Sequence, residues 1–336
     1  MTPQDNISRP SCWWNRNWFL GLFLVVATIL AYQQAWRAGF IWDDDHYVTK
    51  NPLLTAQDGL RRIWFSFDAP SQYFPLVYST FRLEHALWGL NPAGYHWVNI
   101  LLHAVNALLA WRLLLRLAVP GAWFAAAIFA LHPVNVESVA WITELKNVQS
   151  MFFILLALLA WVKFVEEPPR WRWYALTLLA YTLALFSKTT DCTLPVALVL
   201  LLWLKQKPID WRRLAQLVPF VLFGLAMGMV SMVWERHHQD AGGQDVFTLG
   251  LLERLLIASR AVWFYLGKLV WPANLTFVYP SWMINPAAPL AYAGLVAGAG
   301  LCAAIYCARR FVGRGVEVAA VYYVATLTPM LGFFML

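Results

Sequence analysis

Residues 131–161 read "LHPVNVESVAWITELKNVQSMFFILLALLAW" and change character halfway along. From Val148 the stretch is almost purely apolar. Continued to Val165, it approaches the ~20 residues a helix needs to cross a bilayer. Before Val148 it carries His132, Asn135, Glu137, Glu144, Lys146 and Asn147. The apolar run before that, "GAWFAAAIFALH", is only about twelve residues, or about 18 Å of helix. Polar backbone at membrane depth is tolerated only where protein encloses it or a wet cavity receives it. The stretch therefore predicts an all-α polytopic membrane protein with a cavity open to one side. "TLPVALVLLLWL" is similarly short, with "SKTTDC" (187–192) at its polar end, and it predicts a second recessed helix.

The rest of the chain agrees. Of its 336 residues, 60% are hydrophobic and 13% charged, with twenty tryptophans; mean hydropathy is +0.55. Soluble domains carry about 25% charged residues. Spans are expected at roughly 17–38, 96–118, 121–133, 148–165, 172–187, 193–205, 213–234, 288–308 and 316–336, about nine in all. With the N-terminus in the cytoplasm, alternating loops collect Arg112, Arg116, Lys163, Arg170, Arg172, Lys205, Lys207, Arg212, Arg213, Arg309, Arg310 and Arg314 on the inner side, as the positive-inside rule requires. The net charge of +7 is explained by this loop bias and does not imply a nucleic-acid partner. The cysteines have no metal or redox spacing. Loops 39–95, 132–147, 188–192 and 235–287 then share the outer side. Segment 253–270 puts Glu253, Arg260 and Lys268 on one helical face, and it is expected as an amphipathic helix on that side. The chain stops inside an apolar run, which raises the expectation of a longer natural chain.

Candidate chemistry gathers in the outer loops. "GFIWDDDHYVTKNP" (39–52) packs Asp43, Asp44 and Asp45 together with His46 directly after the first span. Adjacent carboxylates repel one another and are expensive to desolvate. They suit general-base work on a hydroxyl, or they mark a solvated helix exit. Glu137 and Glu144 are seven residues apart, so one helix would place both on a face, with Lys146 and His132 nearby. Lys188 and Arg260 are cations that could hold a phosphate. His96 and His103 read as residues that pack or bond inside the second span.

Four blocks carry a resemblance: "FIWDDDHYVTKNPLL", "LWGLNPAGYHWVNILLHAVNALL", "LHPVNVESVAWITELKNVQSMFFILLALLAW" and "LFSKTTDCTLP". They resemble the transmembrane and tetratricopeptide-repeat-containing glycosyltransferases, relatives of the protein O-mannosyltransferases with the GT-C fold. The likeness runs from about residue 20 to the end. It implies that residues 1–336 form a GT-C-type transmembrane domain, without the repeats that such proteins usually carry C-terminally. It also implies transfer of a mannose-like sugar from a polyprenyl-phosphate donor to an acceptor hydroxyl, on protein Ser/Thr or on a glycan. The reaction would be inverting and would take place on the periplasmic or lumenal face of the bacterial inner membrane or the endoplasmic reticulum. Asp43 and Asp44 match the family's acidic motif and are expected to be catalytic. Lys188, Arg260 and Lys146 are expected at the donor phosphate. Asp45, His46, His132, Glu137 and Glu144 are expected at the acceptor or sugar. No metal and no cofactor are expected. The competing classes are a transporter or flippase of a lipid-linked or small polar solute, and a non-catalytic envelope scaffold. Inverted repeats would favour the transporter, and none are seen.

Overall fold

A computed structural model describes residues 17–67, 72–166, 170–238, 250–280, 282 and 284–331. Among them the protein is all-α. The helices are α1 Asn17–Ala31, α2 Gly59–Phe65, α3 Pro75–Trp88, α4 Pro92–Arg116, α5 Ala122–Leu131, α6 Val136–Ala140, α7 Leu145–Val165, α8 Trp171–Ser187, α9 Leu194–Leu204, α10 Trp211–His238, α11 Leu251–Val270, α12 Ala293–Val312 and α13 Arg314–Leu327. Every expected span is helical, although residues 332–336 of the last one lie outside the described residues. Four stretches are long and apolar enough to cross alone: Pro92–Arg116, Ile142–Val165, Trp211–His238 and Pro289–Phe311. A fifth exists if Ala122–Leu131 and Pro133–Ala140, bent by 47°, are one span. The others are shorter.

The breaks have local causes. Pro133 pushes His132 into extended backbone (φ −69, ψ 128), which ends α5. Trp141 is also extended (φ −88, ψ 125) and ends α6. A single helix over 137–144 therefore does not form, and the common face expected for Glu137 and Glu144 is corrected. Ending α5 leaves the carbonyls of its last turn without intrahelical partners. The second span bonds to one of these and to two carbonyls further along the segment. On α4, Asn99 Nδ2 donates to Trp141 O at 3.0 Å and Asn106 Nδ2 to Val148 O at 2.7 Å. His103 Nε2 lies 3.1 Å from Ala130 O, a carbonyl of the last turn of α5. Asn99, His103 and Asn106 recur at steps of four and three, so one face of α4 satisfies the broken segment.

Packing inside the bundle centres on α7 and α8. Trp161, Phe164, Tyr181, Leu198 and Phe220 form its core, and Trp161 Nε1 donates to Leu198 O at 3.1 Å. In lipid, close packing and such hydrogen bonds hold helices together more than hydrophobicity does. A second core, including Tyr47, Leu53, Phe81, Tyr95, Ile142 and Trp234, lies under the loop that contains α2 and α3. Arg82 staples that loop by donating to Leu53 O (2.6 Å) and Ala56 O (2.7 Å). Gly59 is required there, because a Cβ would fall 2.1 Å from Leu53 O.

Two ends of the bundle are distinct. At one, Arg116 pairs with Glu166 at 3.2 Å, Lys205 Nζ donates to Arg116 O, and Arg314 donates to Trp203 O. At the other, residues 41–44 meet Thr143, Lys188 meets Asn147, and Phe67 stacks on Trp234 near the end of α10. The aspartate loop, the segment before α7 and Lys188 are thus gathered together, away from the end that holds Arg116, Lys205 and Arg314. Helix α11 does not meet the requirements for a span. It lies against the starts and ends of neighbouring helices: Trp263 Nε1 donates to Gly294 O, Tyr323 Oη to Val262 O, and Leu269 O faces His132.

Candidate active site

The three aspartates occupy three environments. Trp42 takes a left-handed backbone (φ 47), which turns the chain sharply before them. Asp44 is fully buried. Its Oδ2 accepts from Ile41 N at 2.8 Å, and its Oδ1 accepts from Thr143 N at 2.9 Å and from Thr143 Oγ1. Burial pushes the Asp44 carboxyl up, against the pull of these hydrogen bonds. Asp45 accepts from Lys50 Nζ (2.6 Å) and Thr49 Oγ1 (2.8 Å). The Lys50 hydrogen bond, above all, holds its carboxyl below the usual range. Asp43 is exposed. Among the described residues its carboxylate enters no hydrogen bond or ion pair. His46 is exposed beside it.

Beyond Thr143 runs a polar network. Lys146 Nζ contacts Glu144 Oε1 at 2.8 Å, with both side chains largely buried. Asn147 Nδ2 donates to Glu144 Oε2 and to Ser138 Oγ, while Lys188 Nζ donates to Asn147 Oδ1. Lys146 also lies 5.7 Å from the centre of the Tyr47 ring, and Tyr47 N donates to Asp43 O. The network therefore connects the aspartate loop with Lys188. Burial pushes the Lys188 ammonium down. It pushes the neighbouring Asp191 carboxyl up to about 7, with Lys188 pulling the other way.

Two hollows flank this network. A cavity of about 470 Å³ is lined by Asn106, Ser138, Asn147, Ser150, Lys188 and Asp191, among others. A broader groove of about 900 Å³ lies across α6, between Trp42, Trp141, Phe277, Tyr279, Glu137 and Lys268. Its aromatic rings meet edge to face, Trp42 on Phe277 at 4.6 Å and Trp141 on Phe277 at 5.0 Å. His132, just before the groove residues Pro133 and Val134, bonds across to α11. Its Nδ1 accepts from Val134 N, so its Nε2 carries the proton donated to Leu269 O. Among the described residues no cluster of His, Cys, Asp or Glu is arranged to hold a metal ion.

The chain is similar to known sequences. The Dolichyl-phosphate-mannose-protein mannosyltransferase family matches residues 68–234. The protein O-mannosyl-transferase TMTC2 of Mus musculus is 32% identical over 170 residues, which is 46% of this chain and 20% of that protein. The protein O-mannosyl-transferase Tmtc3 of Drosophila melanogaster is 30% identical over 196 residues, 48% of this chain and 21% of that protein. This chain is related to the TMTC mannosyltransferases. It spans about a fifth of the length of the curated relatives it matches. No solved structure matches it.

In this TMTC relative the structure unites some of the residues singled out from the sequence and separates others. Asp43, Asp44, Glu144, Lys146 and Lys188 belong to one connected region. Glu137 faces the aromatic groove from its rim. Arg260 is elsewhere: it is exposed, stacks 4.8 Å from the Trp282 ring, and lines a separate hollow between α11 and α12. The α11 cation beside the aspartate loop is Lys268, which donates to Ala273 O and Asn274 O. Sequence reasoning noted Asp191 only as a neighbour of Lys188 in the 188–191 set suited to a phosphate, and passed over Asn147, Ser138 and Thr143. Uncharged amides and hydroxyls carry no charge-pattern signal, and only the polar character of 132–149 pointed toward them.

Proposed function

We propose that this chain is the membrane-embedded part of a glycosyltransferase. It moves a mannose-like sugar from a polyprenyl-phosphate donor to an acceptor hydroxyl, on protein Ser/Thr, at the non-cytoplasmic end of the bundle. The observation that carries this reading is the contrast among the aspartates, because Asp44 and Asp45 are committed to partners and Asp43 is exposed. Asp43 takes the acceptor proton as the oxygen bonds to the sugar carbon. The bond from that carbon to the phosphate oxygen breaks at the same time, with inversion. The phosphate leaves with its charge, and Lys188 and Lys146 stabilise it in a water-poor setting. Asp44 acts through position, tying the aspartate loop to Thr143 and so to the lysine network. The names of the relatives support the sugar class, and the gathering of basic loops at the opposite end supports the orientation.

The test is single-turnover sugar transfer at saturating donor. Asp43→Asn keeps shape and removes most basicity, so transfer should fall by about 10²–10⁴-fold while the carrier still binds. Asp45→Asn should cost about tenfold or less, since it acts only through the field on its neighbour. A larger loss in Asp45→Asn than in Asp43→Asn assigns the base wrongly. Full transfer by a variant with all three aspartates changed to Asn removes the enzyme reading of this loop and leaves the transporter class.

A further inference from the structure

The cavity that contains Lys188 is more polar than a lipid phosphate requires. Among its described lining residues Lys188 is the sole Lys or Arg, yet Asn106, Asn147, Ser150, Thr190 and Asp191 also contribute. Among the described residues two acceptor oxygens in its walls, Asn106 Oδ1 and Asp191 Oδ2, are buried and meet no donor, while the Ser150 hydroxyl also faces the Asp191 carboxyl. The Asn106 amide cannot be turned to relieve this. Its Nδ2 is committed to Val148 O at 2.7 Å, which leaves the oxygen as the unpaired atom. Buried acceptors are rarely left unpaired, and two in the wall of one cavity call for donors that arrive from outside. A phosphodiester offers only acceptors, and a polyprenyl tail offers neither. Ring hydroxyls offer both. They can donate to Asn106 and to Asp191, and they can accept from Asp191 when it is protonated. The volume of about 470 Å³ falls within the ~300–1,000 Å³ of small-molecule sites.

We infer that Asn106 and Asp191 are sugar-recognition residues, which accept hydrogen bonds from the ring hydroxyls of the hexose carried by the donor. This rests on the glycosyltransferase reading above and extends it to what selects the sugar. Asn106 is held by its bond to Val148 O in the first turn of α7, and Asp191 precedes α9. The hexose is thereby gripped between α4 and the turn before α9, in the cavity that Lys188 also lines. A site built around such acceptors discriminates strongly against rings that lack the matching hydroxyls.

The experiment compares two probes on the purified protein in nanodiscs: polyprenyl phosphate alone, and the same carrier bearing mannose. The parent should bind the mannosylated carrier more tightly. Asp191→Ala and Asn106→Leu should each weaken binding of the mannosylated carrier by about tenfold or more and leave the bare carrier unchanged. Asp191→Asn retains volume and one acceptor, and should lose less than Asp191→Ala. Asn106→Leu also breaks the bond to Val148 O; if it does not purify, the two Asp191 variants decide. Lys188→Ala should weaken both probes together. An unchanged preference for the mannosylated carrier in the variants overturns the inference, as it would if the two acceptors were satisfied only by water. So does an equal loss for both probes. If sugar transfer by the parent is intact while the variants keep that preference, this inference alone fails. If the parent neither transfers sugar nor distinguishes the probes, the glycosyltransferase reading fails with it.

Discussion

Replacing Asp44 should damage the architecture of the site before it damages the chemistry, and the structure sets the size of the effect. The buried carboxylate accepts from two backbone N–H groups, Ile41 and Thr143, and from the Thr143 hydroxyl. Hydrogen bonds to a charged group contribute about 1.5–3 kcal/mol each, and an unpaired buried donor costs about 1–3 kcal/mol. In Asp44→Ala all three are lost and the buried Thr143 N–H is orphaned, a loss of roughly 3–6 kcal/mol. In Asp44→Asn the amide oxygen can still serve Thr143, but its NH₂ faces the Ile41 N–H, donor to donor. The cost should be about 1–3 kcal/mol. Thr143→Val, which removes only the hydroxyl, should fall near or below the Asn variant. The assay is thermal unfolding in nanodiscs followed by intrinsic tryptophan emission, with amide exchange measured over residues 39–50 and 141–148. The order of unfolding midpoints should be parent above Asn above Ala, with exchange accelerated first in residues 39–50. Asp43→Asn should match the parent in both measurements. Equal midpoints for Asp44→Ala and the parent, or a loss of stability in Asp43→Asn as large as in Asp44→Ala, would refute the assignment of Asp44 as the positioning carboxylate.

Three other outcomes are expected. Glu84 is 2% exposed, neither of its oxygens has a partner among the described residues, and burial raises its pKa from 4.5 to about 9. The folded state therefore holds a proton that the unfolded state releases, so stability falls as pH rises through that window, by about 3 kcal/mol at pH 7. Glu84→Gln should raise the unfolding midpoint at pH 8 and change it little near pH 5; equal shifts at both pH values would contradict a neutral buried Glu84. Lys188→Ala should weaken binding of polyprenyl phosphate by about ten- to a hundredfold with a smaller effect on folding, and parent-like binding would remove Lys188 from the phosphate site. In a cysteine-free background, Thr276→Cys should react with an impermeant reagent on intact cells and Gln206→Cys should not; the reverse pattern would invert the topology.

The sequence by itself determined the class of the protein and the polar stretches that interrupt its apolar runs. These features follow from one-dimensional signals. Apolar run length sets what can cross lipid, Pro133 and Pro195 limit local backbone, and Lys and Arg choose a side. The short helix before His132 required a receiving cavity because unpaired backbone cannot face hydrocarbon. The tertiary structure decided what each side chain within those loops does. Three consecutive aspartates look equivalent in sequence, yet Thr143, 99 residues away, captures Asp44, while local Lys50 captures Asp45. Arg260 and Lys268 share a face of α11, but the return of the chain at 271–279 places only Lys268 beside the aspartate loop. Asn106 is one more polar residue on an apolar helix until the carbonyl of Val148 takes its amide and leaves its oxygen unpaired in the wall of the cavity. Such roles depend on which distant partner a donor or acceptor meets. Hydrogen bonds act over about 3 Å in space and are indifferent to separation along the chain.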